Sequence, residues 1–315
     1  MKVLITREIP EAGIRLLKEH PKIELDYRQG APLSKEELKE AIKDADAIIP
    51  VIPDKIDAEV IESAKNLKLI ATYSVGYDHI DLEAAKARGI YVSNTPGDLT
   101  ESVAEHTIAL MLAVGKHIVQ ADKYVREGKY HYWDPMLFLG PKFKGKTFGV
   151  IGFGRIGKYT ADIARNGFDM RIVYTDRYQQ PNSGAEFLEL NDLLQTADIV
   201  SINCSLNKST HHLIDTEQLK QMKPTAYLIN TARGPIVNEK ALIRALKEGW
   251  IAGAGLDVFE EEPNVPEELK ELDNVVLTPH IASATREARI QMARMAVENV
   301  IDVLIDKKAP RNQVK

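Results

Sequence analysis

Short apolar runs alternate with segments of helical period along the first hundred residues. KVLIT (2–6), KIELDY (22–27), DAIIPVI (46–52) and LKLIATYS (67–74) read as strands. Between them PEAGIRLLKEH (10–20), SKEELKEAIKDA (34–45) and DAEVIESA (57–64) place apolar residues at helical spacing. Such alternation predicts a parallel sheet with helices on both faces, because a parallel connection must cross over and its helix covers the sheet. Ser34 followed by Glu37 is a capping box that marks the start of the second helix. The run ESVAEHTIALMLAVGKHIVQADKYVREG (101–128) is helical in period and long enough to cross between two bodies, so a domain boundary is expected near it.

After the loop HYWDPMLFLGPKFKGK (131–146) a second alternation begins with KTFGVIG (146–152). It continues through RIVYTD (171–176), ADIVSINC (197–204), TAYLINTA (225–232), IAGAGLDV (251–258) and NVVLTP (274–279). Two doubly wound α/β domains are the simplest architecture. TREARIQMARMAVENVIDVLID (285–306) reads as a last long helix with too little chain beyond it for another domain, and it is expected to return to the first one. No low-complexity tract or repeat of solenoid length interrupts the pattern.

Length and charge narrow the class of chemistry. At 315 residues the chain suits two domains of about 150 residues each. Its 41 Lys and Arg are interspersed with 46 Asp and Glu, and the net charge of −5 leaves no basic footprint for nucleic acid or anionic lipid. Small-molecule chemistry moves up. The single cysteine, Cys204, excludes an internal disulfide and a cysteine zinc set, so a reducing compartment and hence a cytoplasmic location are expected. MKVLITREIP is apolar over too short a stretch for a signal peptide, and no run reaches the ~18 apolar residues of a membrane span. His211 and His212 read as surface residues opening a helical turn, and no metal site is expected.

GVIGFGRIGK (149–158) sets Gly152, Gly154 and Gly157 in the spacing G-x-G-x-x-G, directly after an apolar run and at the opening of an amphipathic helix. The first glycine permits a tight turn, the second lets backbone approach a pyrophosphate, and the third lets helix and strand pack closely. The helix start adds N–H groups and the positive end of its dipole. Glycine turns also occur without a ligand, but here RIVYTD ends on Asp176, about 20 residues further on, where a carboxylate takes ribose hydroxyls. A carboxylate repels a 2′-phosphate, so NADH is expected as the preferred cofactor and NADPH as the weaker one. The neighbouring Arg177 works in the opposite direction.

In LINTARGPIVN (228–238) an apolar run ends on Arg233, and a guanidinium there meets either water or something anionic. Glu262 follows GAGLDVFEE and His280 follows NVVLTP, so charged or titratable groups close successive runs whose carboxyl ends face the ligand crevice of an open parallel sheet. Each alone reads as a solvated loop residue. Together they supply what reduction of a 2-keto acid needs. A guanidinium holds the substrate carboxylate and polarises its carbonyl, a histidine protonates the carbonyl oxygen as hydride arrives, and a carboxylate beside the histidine favours its charged form and orients the ring.

The motifs GVIGFGRIGK, LINTARGPIVNEKAL, GAGLDVFEEEP and TPHIASAT follow one another along the chain, and over nearly its whole length the sequence resembles the D-isomer-specific 2-hydroxyacid dehydrogenase family. The resemblance implies a Rossmann nucleotide domain (99–287), a smaller flavodoxin-like substrate domain built from 1–98 and 288–315, a cleft between them and a homodimer. It implies that Arg233 binds substrate, that Glu262, the carboxylate just before Pro263, pairs with histidine, and that His280 is the acid/base. Besides the glycines, Asp176 and Arg177, it implies cofactor contacts from Arg155, Ile156, Cys204, Ser205, Thr210, Thr231, Ala232 and Asp257, and from Arg233 and His280 themselves. In YSVGYDHID (73–81) it implies that N–H groups around Val75 and Gly76 hold the substrate carboxylate, where the residues alone suggest a strand-to-helix turn needing Gly76.

One stretch departs from the family. Where proline is usual after the fourth strand of the nucleotide domain, this chain reads NCSLN (203–207), and Cys204, with nothing basic beside it in sequence, reads as a wall residue rather than a nucleophile. NTPGDLTESVAEHT (94–107) and WDPMLFLGPKFKGKT (133–147) look most like the glyoxylate and hydroxypyruvate reductase branch. There Trp133 or Met136 lines the substrate pocket, from the same or the other subunit, or simply packs an interface.

The expected activity is NADH-dependent reduction of small 2-keto acids to D-2-hydroxy acids. D-lactate-type and D-3-phosphoglycerate dehydrogenases are the alternatives among enzymes, although SVGYDHID (74–81) offers no cation for a phosphorylated substrate. A non-catalytic, NAD-sensing scaffold like the corepressors of this fold is the alternative outside them. The intact set of Arg233, Glu262 and His280 argues for catalysis.

Overall fold

The computed structural model describes residues 1–97, 99–181 and 183–314. The chain forms two compact units, one of Met1–Leu99 with Ala284–Lys315 and one of Thr100–Ser283. Asp98, at the expected first boundary, lies outside the described residues. The second boundary falls before residue 284 rather than after 287, ahead of Thr285, whose side chain accepts from Ala288 N–H and so opens the last helix.

In the first unit, β1 (Lys2–Ile5), β2 (Glu24–Tyr27), β3 (Ala47–Ile49), β4 (Leu69–Ala71) and β5 (Tyr91–Ser93) pair in parallel in the order β2-β1-β3-β4-β5. This is the flavodoxin-like order. Val3, Leu4, Ile5, Ile48, Ile49, Leu69 and Ile70 are buried, as expected of strands covered on both faces. The connections carry α1 (Glu11–Lys18), α2 (Lys35–Ile42), α3 (Ala58–Ser63) and α4 (Leu82–Ala87). The Ser34–Glu37 capping box is formed at the start of α2.

The second unit opens with α5 (Thr100–Gly115) and α6 (Ile118–Arg126), which correct the single helix read over 101–128. His117 takes φ 53° between them. The break follows from packing: the Phe143 ring fills the place where a side chain at residue 115 would stand, and the backbone of Gly140 closes on the Gly115 carbonyl. Beyond it come β6 (Thr147–Ile151), α7 (Arg155–Phe168), β7 (Arg171–Thr175), β8 (Glu186–Phe187), α8 (Leu190–Thr196), β9 (Ile199–Ile202), α9 (Thr216–Gln221) and β10 (Tyr227–Asn230). The unit ends with α10 (Glu239–Lys247), β11 (Gly253–Leu256), α11 (Glu267–Lys270) and β12 (Val275–Leu277).

These strands form a parallel sheet in the order β12-β11-β10-β9-β6-β7-β8. The chain starts in the middle at β6, runs out through β7 and β8, then crosses back to β9. That reversal creates a switch point at the carboxyl ends of β6 and β9, where doubly wound sheets bind ligands. One apolar layer contains Leu193, Leu219, Leu242 and Leu246, and the other contains Leu110, Met111, Phe148 and Tyr174.

The last helix, α12 (Arg286–Leu304), belongs to the first unit and packs on α1. The two approach closely at Gly13, where an added Cβ would lie 2.8 Å from the Cβ of Ala293. Among the described residues no helix is long and apolar enough to cross a membrane.

Candidate active site

Beyond β6 the chain turns at Gly152 with φ 93°, a conformation that side chains disfavour, and a Cβ there would strike the backbone of Asn203 and Cys204. Gly157, on α7, packs directly against the Gly152 carbonyl, with no room for a Cβ. Gly154 differs: no atom lies within 4 Å of its added Cβ, and it begins α7 without a side-chain cap. Arg155 is exposed and Ile156 half-buried on the first turn. The result is an open backbone step leading into uncapped helix N–H groups, the surroundings a phosphate prefers.

Asp176 is fixed at the end of β7. Its Oδ2 accepts from Phe153 N–H at 2.7 Å and its Oδ1 from Arg177 N–H at 2.6 Å. Gln180 Nε2 donates to the Phe153 carbonyl at 2.8 Å, binding the loop from its other side. Gln180 gave no sequence signal, since it acts on a main-chain atom. Arg177 is exposed. Cys204 presses its backbone on Gly152, and its thiol is pushed up to about 11 by burial, with the Asp176 charge adding to the effect. It is a protonated wall residue rather than a thiolate nucleophile. Ser205 is exposed, while Thr210 Oγ1 donates to the Ser205 carbonyl at 2.7 Å and accepts from Asn207 N–H at 2.8 Å, closing that loop on itself. The open glycine step, uncapped helix start and fixed carboxylate fit the pyrophosphate and ribose of a dinucleotide.

The second cluster begins at the end of β10. Asn230 is buried, donates from Nδ2 to the Arg233 carbonyl at 3.0 Å and accepts from Ala232 N–H at 3.0 Å, so one side chain shapes the turn that presents Arg233. Thr231 Oγ1 lies 2.9 Å from Thr107 Oγ1 on α5. The half-buried Arg233 donates from Nη1 to the Ala232 carbonyl at 2.8 Å. Gly234 then lies flat on the backbone of Phe259 and Glu260, where no Cβ fits, and this contact seats the Arg233 turn against the loop that bears Glu262.

Glu262 Oε1 accepts from Phe259 N–H at 3.1 Å, and its Oε2 lies 2.7 Å from His280 Nδ1. His280 takes φ 54°, and its N–H donates to the Asp257 carbonyl at 2.8 Å. The Asp257 carboxylate is fully buried. Its Oδ1 accepts from Thr278 Oγ1 at 2.6 Å and Ile281 N–H at 2.8 Å, and its Oδ2 from Ala282 N–H at 2.7 Å. From α5, His106 Nε2 lies 3.4 Å from the same Oδ1. Burial works to raise the Asp257 carboxyl, but hydrogen bonds from His106, Thr278, Ile281 and Ala282 outweigh it and hold the group below its usual range. Asp257, expected as a cofactor contact, commits both oxygens to the loop that carries His280.

His211 is exposed in a turn, as its sequence reading has it, and His212 differs from that reading. Asp215 caps α9, whereas His212 is half-buried with Nε2 2.6 Å from Glu260 Oε1. Trp133 and Met136 are 76% and 71% exposed, beyond the end of α6. Among the described residues no cluster of three or more His, Cys, Asp and Glu side chains is arranged to hold a metal ion.

The first unit has its own polar turn after β4. Ser74 Oγ donates to the Gly76 carbonyl at 2.6 Å and Asn94 Nδ2 to the Val75 carbonyl at 2.7 Å, anchoring both carbonyls of the turn. Thr72 Oγ1 lies 2.7 Å from Ser74 Oγ and extends the network into the interior.

Known proteins resemble this chain over most of its length. The D-isomer specific 2-hydroxyacid dehydrogenase NAD binding domain matches residues 108–282. A glyoxylate reductase of Thermofilum pendens is 52% identical, over 98% of this chain and 93% of its own length. Among solved structures, a protein of Thermus thermophilus superposes with a TM-score of 0.95 at 46% identity, covering 100% of both chains. The NADPH-dependent glyoxylate/hydroxypyruvate reductase of Sinorhizobium meliloti, in complex with NADP and malonate, gives a TM-score of 0.88 at 32% identity, covering 99% of this chain and 96% of its own. The fold and site thus define a nicotinamide-dependent oxidoreductase acting on the CH–OH group. The chain belongs to the D-isomer specific 2-hydroxyacid dehydrogenase family.

Proposed function

We propose that the protein reduces glyoxylate and hydroxypyruvate to their 2-hydroxy acids, of D configuration where a stereocentre forms, and prefers NADH. The observation that carries this reading is the 2.7 Å contact between Glu262 and His280, on a loop fixed by the buried Asp257. A bound nicotinamide supplies the hydride. Arg233 holds the substrate carboxylate with its planar guanidinium and draws electron density from the neighbouring carbonyl. With Nδ1 tied to Glu262, His280 delivers a proton from Nε2 to the carbonyl oxygen. In the first unit, the Val75 and Gly76 N–H groups are further donors for a carboxylate.

Gly152, Gly154, Gly157 and the start of α7 hold the pyrophosphate, and Asp176 takes the ribose hydroxyls. Cys204, Ser205 and Thr210 form the wall on the adenine side, and Thr231, Ala232 and Asp257 support the nicotinamide end. The Asp176 charge favours NADH, and the exposed Arg177 leaves NADPH a weaker substrate. The substrate choice is supported by the Thermofilum pendens and Sinorhizobium meliloti relatives, whose names specify glyoxylate. Ile118, Val119, Val125, Tyr132, Trp133 and Met136 are exposed, and this apolar surface supports a homodimer. A cytoplasmic location agrees with the single unpaired Cys204.

Oxidation of NADH and NADPH by the purified protein, followed by absorbance, tests the reading against glyoxylate, hydroxypyruvate, pyruvate, 2-ketobutyrate and phosphohydroxypyruvate. Glyoxylate and hydroxypyruvate with NADH should give the highest kcat/KM. A preference for phosphohydroxypyruvate, or binding of NADH without turnover of any acid, would overturn it.

A further inference from the structure

The Glu-rich loop that ends at Pro263 holds a second carboxylate–histidine contact that the proposed chemistry does not use. Glu262 faces His280, and Glu260 faces His212 at 2.6 Å. His212 lies in the turn before α9, takes φ 51° and meets the His211 ring at a tilt of 33° with centroids 4.1 Å apart. Its backbone is held to the segment that follows Arg233. His212 N–H donates to the Pro235 carbonyl at 2.8 Å, Ile214 N–H to Ile236 at 3.1 Å, and Asn238 N–H returns to Ile214 at 2.9 Å.

The other oxygen of Glu260 accepts from Glu239 N–H at 3.1 Å, in the first turn of α10, where a helix start favours negative charge. Glu260 N–H donates back to the Glu239 carboxylate at 3.4 Å. Burial raises the Glu239 carboxyl above its usual range, and the charges of Glu260 and Glu261 push it the same way. The His212 and Glu260 side chains remain 31% and 26% exposed, so their pairing adds little to global stability. What it does is join the turn before α9, the segment leading into α10 and the loop of residues 259–262.

We propose that His212 and Glu260 are positioning residues for the reaction: they hold the 259–262 loop so that Glu262 keeps His280 aligned beside the Arg233 turn. The packing leaves little slack, because Gly234 already lies on the Phe259 and Glu260 backbone with no room for a Cβ. A shift of Glu260 is therefore passed to Phe259, whose N–H holds Glu262 at 3.1 Å. The inference rests on the reading of Glu262 and His280 as the acid/base pair.

The test compares wild type, His212→Ala, Glu260→Ala, the double variant and Glu260→Gln as purified full-length proteins. It measures kcat with the 2-keto acid turned over fastest, the NADH dissociation constant, and amide hydrogen exchange at Phe259. Each alanine variant should lower kcat roughly tenfold to a hundredfold, the scale of a small misplacement of catalytic groups, with NADH affinity unchanged. The double variant should lose no more than the worse single, because the two residues act as one unit. Glu260→Gln keeps an acceptor for Glu239 N–H and should fall between wild type and Glu260→Ala. The Phe259 amide should exchange faster in each alanine variant. Unchanged kcat in either single variant, or losses that multiply in the double, would overturn the proposal. If wild type reduces no 2-keto acid the functional reading fails by itself, and Phe259 exchange then decides the positioning role: faster exchange supports it and unchanged exchange sinks it.

Discussion

Glu262 and His280 stand 18 residues apart on separate loops, yet a carboxylate oxygen of one lies 2.7 Å from Nδ1 of the other. Each is held by main chain rather than by its partner alone. Phe259 N–H fixes Glu262, and the Asp257 carbonyl fixes His280 in a left-handed conformation that a histidine rarely adopts unaided. The imidazole is thus oriented by Glu262 and by the main chain on either side.

Glu262→Gln tests that orientation. The amide keeps the shape but offers one carbonyl oxygen where the carboxylate offered two, and its NH2 group is the wrong partner for Nδ1–H. Steady-state kinetics should show kcat lower by on the order of a hundredfold, with NADH affinity preserved. A kcat close to wild type would mean that the contact does not orient the ring.

Arg233→Lys keeps the charge and removes the planar fork. Loss of a paired hydrogen bond to a carboxylate should lower kcat/KM by on the order of a hundredfold, with a raised KM carrying much of the loss. An unchanged KM would remove Arg233 from the carboxylate site.

Asp176→Ser removes the charge that disfavours a 2′-phosphate while keeping a hydroxyl near Phe153 N–H. The ratio of kcat/KM for NADPH to that for NADH should rise by on the order of a hundredfold, because a close like-charge repulsion of a few kcal/mol is relieved. A ratio that does not move would place cofactor choice elsewhere, with Arg177 the next residue to vary.

Asp302 gives the first unit a pH dependence unrelated to catalysis. Its buried carboxylate accepts from Arg311 Nε and Nη2 at 2.9 Å each and lies 3.1 Å from Lys308 Nζ. The Arg311 hydrogen bonds bring its pKa down from 3.8 to about 2, against the burial that would raise it. A depressed folded value means that the unfolded chain takes up the proton first, so the stabilisation is fully present above about pH 4 and is lost as pH falls towards 2. Urea unfolding followed in the first unit should show a steeper loss over that window in wild type than in Asp302→Asn. At neutral pH the variant should be weaker by about 2 kcal/mol at most, the worth of that shift, since Arg311 and Lys308 are half exposed and solvent screens them. Parallel profiles would contradict this.

Features governed by local chemistry were legible in the sequence. The Ser34–Glu37 cap and the alternation of apolar runs with helical segments led to the doubly wound class, and the glycines at 152 and 157 answer steric demands that the G-x-G-x-x-G spacing encodes. The family resemblance singled out Glu262, just before Pro263, from a run of three glutamates, and its carboxylate lies 2.7 Å from His280 Nδ1. What stayed hidden depends on distant partners. The break at His117 is made by Phe143 and Gly140, and His212 finds Glu260 across 48 residues. Asn230, Gln180 and Asn94 work by holding main-chain atoms, so their identity alone does not reveal them. The burial of Asp257 beneath the 278–282 loop is likewise a product of the fold.

His280→Ala separates proton delivery from cofactor binding. Turnover of glyoxylate with saturating NADH should fall by roughly a hundredfold to ten-thousandfold, the usual worth of a positioned acid, while the NADH dissociation constant stays near that of wild type. Turnover retained at wild-type levels, or NADH binding lost together with activity, would contradict the assignment of His280 as the acid.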